Sequence, residues 1–108
     1  MAYSEALAEG LRQQLLDRSG VSERKMFGGV CFFLNGNMLC GTADDWYMFR
    51  VGKELEAEAL RRPEARSMNR TGRKMGGFIE VDAKAVDGPA LSGWIAFAER
   101  FVGALPGK

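Results

Sequence analysis

Apolar positions crowd the stretch from Lys25 to Thr42, K-M-F-G-G-V-C-F-F-L-N-G-N-M-L-C-G-T, and are divided in the middle by Asn35-Gly36. Both central residues of a two-residue type I′ turn need positive φ, which Asn and Gly tolerate best, so the pattern predicts a β-hairpin. An unbroken ladder from that turn sets Leu34 opposite Asn37, Phe33 opposite Met38, Phe32 opposite Leu39 and Cys31 opposite Cys40. Both faces of the ribbon are apolar near the turn.

Upstream, Leu7, Leu11 and Leu15 recur at every fourth position and line one face of a helix predicted over residues 4–18. Ser4 serves as its cap, Glu5 sits in its first turn, and Gly20 stands where a left-handed C-cap belongs. Downstream, Asp44-Asp45 reads as a turn and residues 46–51, W-Y-M-F-R-V, as a third strand. Gly52 breaks that strand. A helix follows over residues 53–62, with acids early and bases late in keeping with the macrodipole, until Pro63 stops it. A fourth strand is predicted over residues 65–68, then a turn at Thr71-Gly72 and a fifth strand over 77–81. Pro89, behind Asp87-Gly88, opens a last helix whose buried stripe holds Leu91, Trp94, Ile95, Ala98, Phe101, Val102 and Leu105, and Pro106-Gly107 ends it. The order α-β(3)-α-β(2)-α predicts an α+β fold of two layers, a mainly antiparallel five-stranded sheet with its helices on one side.

At 108 residues, 46% of them hydrophobic and 27% charged, the chain suits one globular domain over 1–108 with a single core. No apolar run approaches the ~20 residues of a spanning helix and the first residues lack a basic, then apolar, leader, so the expected location is the cytoplasm, away from membranes. Histidine is absent, which removes the usual proton shuttle near neutral pH and the commonest nitrogen ligand. Two cysteines cannot complete a zinc site within one chain, so neither metal nor cofactor is expected. A short echo joins residues 24–29, R-K-M-F-G-G, to residues 73–78, R-K-M-G-G-F. Each glycine pair precedes a strand, where glycine permits close backbone approach; loops that cradle phosphate open helices instead.

The strings Lys25-Met26-Phe27-Gly28-Gly29-Val30, Asn35-Gly36-Asn37-Met38, Arg50-Val51-Gly52-Lys53-Glu54 and residues 72–81, G-R-K-M-G-G-F-I-E-V, resemble the N-terminal domain of the TfoX/Sxy family over nearly the whole chain. The most specific part is the Lys25 to Gly29 motif followed by the Asn35-Gly36 hairpin. The resemblance implies the α-β(3)-α-β(2)-α fold also seen in secretion chaperones and YjbR-like proteins. It further implies a role in transcription or competence regulation, exercised beside a DNA-binding activator. Full-length members of the family carry a second, helical, C-terminal domain, and these residues correspond to the N-terminal one standing alone. The family supplies no catalytic residues.

Three features carry candidate chemistry. Arg61, Arg62, Arg66, Arg70, Arg73 and Lys74 face only Glu64 within residues 61–74, so this segment holds a net +5 and leaves −4 for the rest of a chain that totals +1. Such a patch suits phosphates or an acidic partner surface, although a solvated face is the commoner use of a basic loop. Cys31 and Cys40, opposed in the expected register, form a candidate redox pair, with a cytosolic dithiol as the favoured state. Asp44-Asp45 lacks the nucleophile or ligand set that would make it catalytic. Finally, Trp94, Phe97, Phe101 and Val102 widen the last helix's apolar surface, which predicts a symmetric homodimer. The sequence reading is therefore a non-enzymatic regulatory or adaptor domain that works through protein contacts. A nucleic-acid-binding module using residues 61–74 is the alternative, and a thiol-redox or small-molecule-binding protein comes third.

Overall fold

Asn35-Gly36 turns the chain as expected, with φ of 54° and 85° at the two residues. The computed structural model describes residues 5–26, 29–43, 45–68 and 76–107. In chain order the elements are α1 (Glu5–Gln14), β1 (Val21–Met26), β2 (Gly29–Leu34), β3 (Asn37–Ala43), β4 (Trp46–Arg50), α2 (Lys53–Leu60), β5 (Ala65–Ser67), β6 (Phe78–Asp82), a 3₁₀ turn (Ala83–Ala85) and α3 (Gly88–Val102). The strands form one sheet in the order β1-β2-β3-β4-β6-β5, antiparallel at every step.

The two-layer α+β architecture is as the sequence predicts, with six strands in place of five. The additional strand is β1. Its residues V-S-E-R-K-M lack apolar alternation because it is an edge strand, and Ser22, Glu23, Arg24 and Lys25 are all exposed. The first helix is shorter than expected, ending at Gln14, with Leu15 to Asp17 in a turn and Gly20 at φ 80°. Its Ser4 cap and the Thr71-Gly72 turn lie outside the described residues. Asp87 caps α3 by accepting from the Ala90 amide at 2.9 Å, with Pro89 in the first turn.

Strand alternation sorts the interior into two clusters. Toward the helices, Phe32, Leu39, Phe49, Ile79 and Val81 of the sheet meet Leu11 of α1, Ala59 of α2 and Trp94 and Ile95 of α3. Phe49 and Trp94 stack with ring centroids 5.6 Å apart. Each such large apolar side chain contributes ~1.5–3 kcal/mol on burial. On the opposite face, Cys31, Ala43, Trp46, Met48 and Met68 form a smaller cluster flanked by Phe33, Met38 and Phe78. Of the residues expected to widen the last helix's apolar surface, Trp94, Phe97 and Val102 are buried within this single chain and Phe101 is partly buried against the same core.

The hairpin register departs from the expected one after two pairs. Leu34 faces Asn37 and Phe33 faces Met38, but a bulge then sets Phe32 opposite Cys40 and Cys31 opposite Gly41. Leu39 is the extra residue, and its neighbour Cys40 joins it in the helix-side core, which regular alternation forbids. Cys31 therefore does not face Cys40. One thiol belongs to each face of the sheet.

The hairpin tip is held from both sides. The Asn35 amide donates to Gly20 O at 2.8 Å, and Asn37 Nδ2 donates to Pro106 O at 2.9 Å.

Candidate functional site

Two glycine backbones cross where β4 runs into α2. Val51 and Gly52 both donate their amides to Gly77 O, at 2.8 and 3.0 Å, while the Gly77 amide donates to Glu56 Oε1 at 2.9 Å. Gly52 holds φ 83° and ψ 154°, and a Cβ there would lie 2.5 Å from the Phe101 ring. Gly77, at φ 85°, would place a Cβ 3.3 Å from the backbone of Gly52 and Lys53. Close approach, the expected role of the strand glycines, is what this crossing uses.

Beside the crossing lies a cleft of about 590 Å³. Val51, Leu55, Phe78 and Phe101 give it apolar walls, Arg50, Lys53 and Arg100 supply positive charge, and Glu54 is the one acid among its described lining residues. The Arg50 guanidinium stands 5.8 Å from the Phe78 centroid and 5.5 Å from the Phe101 centroid, within cation–π range of both. Lys53 is exposed, with its Cε 3.2 Å from where a Cβ on Gly76 would stand. Arg100 lies over Phe97 and is shared with Glu58 at 3.6 Å. Gly52, at the N-cap position of α2, offers no side-chain cap to the helix's first turn.

The basic segment is spent differently. Arg62 stacks on Trp94 and Phe97 at 4.6 and 4.9 Å, and Trp94 Nε1 donates to Glu64 Oε2 at 3.1 Å. Arg66 pairs with Glu80 at 2.8 Å, a carboxylate only 3% exposed. Arg61 is exposed, and Arg70, Arg73 and Lys74 lie outside the described residues. Of the three described basic residues, Arg62 and Arg66 are thus drawn into the fold. Of the family motif, Lys25 is exposed on β1 and Gly29 packs against Thr42, whose carbonyl oxygen would lie 2.1 Å from a Cβ there. The Met26 side chain, Phe27 and Gly28 lie outside the described residues. Burial raises the thiol pKa of Cys31, and raises that of Cys40 further, holding both as thiols.

The sequence reading singled out none of the cleft residues as a site. Arg50, Gly52, Lys53, Gly76 and Gly77 lie in segments that carry the family resemblance, and Arg100 approaches from α3. A glycine between two cations after an apolar strand was the available signal.

A sheet of six antiparallel strands with its three helices on one face defines a small open α+β domain. The profile of the TfoX N-terminal domain matches residues 13–101, and the chain belongs to that family. No curated protein and no solved structure matches the chain. Among the described residues, no helix is long and apolar enough to cross a membrane, and no group of three or more acidic or cysteine side chains is gathered as a metal site.

Proposed function

We propose that the chain is a non-enzymatic regulatory or adaptor domain of TfoX type, working in the cytoplasm through contacts with another protein in transcription or competence control. The edge of the sheet is the observation that supports this reading. Among the described strands β1 pairs only with β2, leaving one side of a six-residue backbone open to an extended partner segment. Exposed Arg24 and Lys25 discourage indiscriminate edge pairing and supply charges that a chosen partner can complement, while Glu23 is held by Arg12. Arg66, which a nucleic-acid surface on the basic segment would use, is paired with Glu80.

The test is a pull-down from native lysate, run with and without nuclease, followed by amide exchange on the purified complex. A transcription regulator that survives nuclease and protects the amides of residues 21–26 is the expected result. Retention that disappears with nuclease, or protection that leaves β1 unchanged, overturns the proposal.

A further inference from the structure

Arg50 differs from the arginines of the fold that are paired with acids. Arg12, Arg18 and Arg66 each hold a carboxylate at 2.8 Å or less. Among the described residues no carboxylate pairs with Arg50; two aromatic rings hold it instead. Rings fix the plane of a guanidinium without consuming its N–H donors, which leaves the fork free for a planar or tetrahedral anion. Lys53 stands on the same cleft and is likewise without a carboxylate partner among the described residues. Among the described lining residues, two unshared cations, with Arg100 partly offset by Glu58, outweigh the single acid Glu54.

Shape and polarity narrow the ligand. A volume of about 590 Å³ lies within the span of small-molecule sites. Phe78, Phe101 and Leu55 offer apolar surface next to the cations, so the ligand has an anionic end and an apolar body. The glycine wall gives room and no donor from Gly77, whose amide is already committed to Glu56. A long polyanion would instead call for a row of unpaired bases, and Arg66 in the neighbouring basic segment is paired with Glu80.

We propose that this cleft binds a small organic phosphate, its phosphate oxygens on Arg50 and Lys53 and its apolar body against Phe78, Phe101 and Leu55. The site is separate from the β1 edge, so it stands or falls independently of the protein-contact reading.

The probe is phenyl phosphate, titrated into the isotopically labelled chain while amide resonances are followed, with inorganic phosphate and phenol as parallel arms. Saturable shifts at residues 50–55 and 76–78 are expected with phenyl phosphate, weaker ones at the same residues with inorganic phosphate, and none with phenol. Lys53→Gln should weaken binding about tenfold, the value of one charge-assisted hydrogen bond, and Arg50→Gln by more. Arg50 also packs on two rings, so the exposed Lys53 variant carries the decision if Arg50→Gln unfolds. Several outcomes overturn the site: no saturable shift at millimolar phenyl phosphate, unchanged affinity in Lys53→Gln, or shifts centred on residues 61–66. A response to oligothymidylate without one to phenyl phosphate also overturns it in favour of a polyanion. Equal affinity for inorganic and phenyl phosphate removes the apolar half of the proposal.

Discussion

Replacing Gly52 by alanine probes the crossing on which the cleft is built. At φ 83° and ψ 154°, a region that only glycine enters freely, an L-residue costs ~1–3 kcal/mol more than glycine. The new methyl would stand 2.5 Å from Cδ1 and 2.7 Å from Cγ of Phe101, on the ring's inner atoms, so the whole ring must shift. Overpacking of that kind adds ~1–3 kcal/mol. Loss of backbone freedom in the unfolded chain returns ~0.4–1 kcal/mol. The expected net is a destabilisation of about 1–5 kcal/mol, read as a drop in Tm of about 4–20 °C for a domain of this size. Gly93 supplies the matched control. It lies exposed inside α3, and a Cβ there meets nothing within 4 Å, so Gly93→Ala should stabilise by ~1 kcal/mol through helix propensity alone. Thermal and urea unfolding of both variants, followed by circular dichroism, give the comparison. A Gly52→Ala protein within about 0.5 kcal/mol of wild type would refute the reasoning, because that is the range of a surface substitution with no special constraint.

Other substitutions test neighbouring statements. Glu56→Ala leaves the buried Gly77 amide without its carboxylate and should cost ~1–3 kcal/mol, whereas Glu58→Ala at the surface should cost under ~1 kcal/mol; equal urea midpoints would contradict this. Arg66→Glu sets a like charge against buried Glu80 and should lower stability, so charge reversal at this position is unsuited as a fold-neutral test of nucleic-acid binding. Both thiols have pKa values raised by burial, so the folded state keeps protons that the unfolded chain sheds near pH 8.5. Their contribution is fully present below that pH and is lost as pH rises toward the folded values, with a slope of up to ~1.4 kcal/mol per pH unit for each thiol. Urea midpoints should fall from about pH 8.5 upward in wild type and less so in the Cys31→Ala/Cys40→Ala double variant; parallel curves would refute the assignment. Mild oxidant should leave the intact mass of the folded monomer without the loss of two hydrogens, since Cys31 and Cys40 belong to opposite faces of the sheet.

Legibility followed how locally each feature is determined. Asn35-Gly36 and Asp87-Gly88-Pro89 carry their conformations in their own chemistry, and both the turn and the α3 cap lie where the residues place them. The bulge at Leu39 was illegible because Met38, Leu39 and Cys40 are all apolar; moving any of them across the sheet leaves the pattern unchanged. β1 was hidden for the opposite reason. An edge strand with four successive exposed positions has no buried face to print an alternation. The basic loop looked like one surface from its composition, but Arg62 and Arg66 find aromatic and acidic partners far away in sequence, a tertiary fact. The cleft is of the same kind: Arg50 and Lys53 come from one segment, the Gly76-Gly77 wall from another and Arg100 from a third.

The double fastening of the hairpin tip bears on the order of folding. A hairpin with this turn closes in microseconds using only its own residues. Asn37 nevertheless reaches across 69 residues for Pro106 O, and a contact so distant in sequence must wait until much of the chain is in place. The tip is thus among the first conformations formed and among the last bonds completed. Changes at Asn35 or Gly36, which act on the turn itself, should slow folding. Asn37→Ala, which removes only the late bond, should leave the folding rate near wild type and accelerate unfolding.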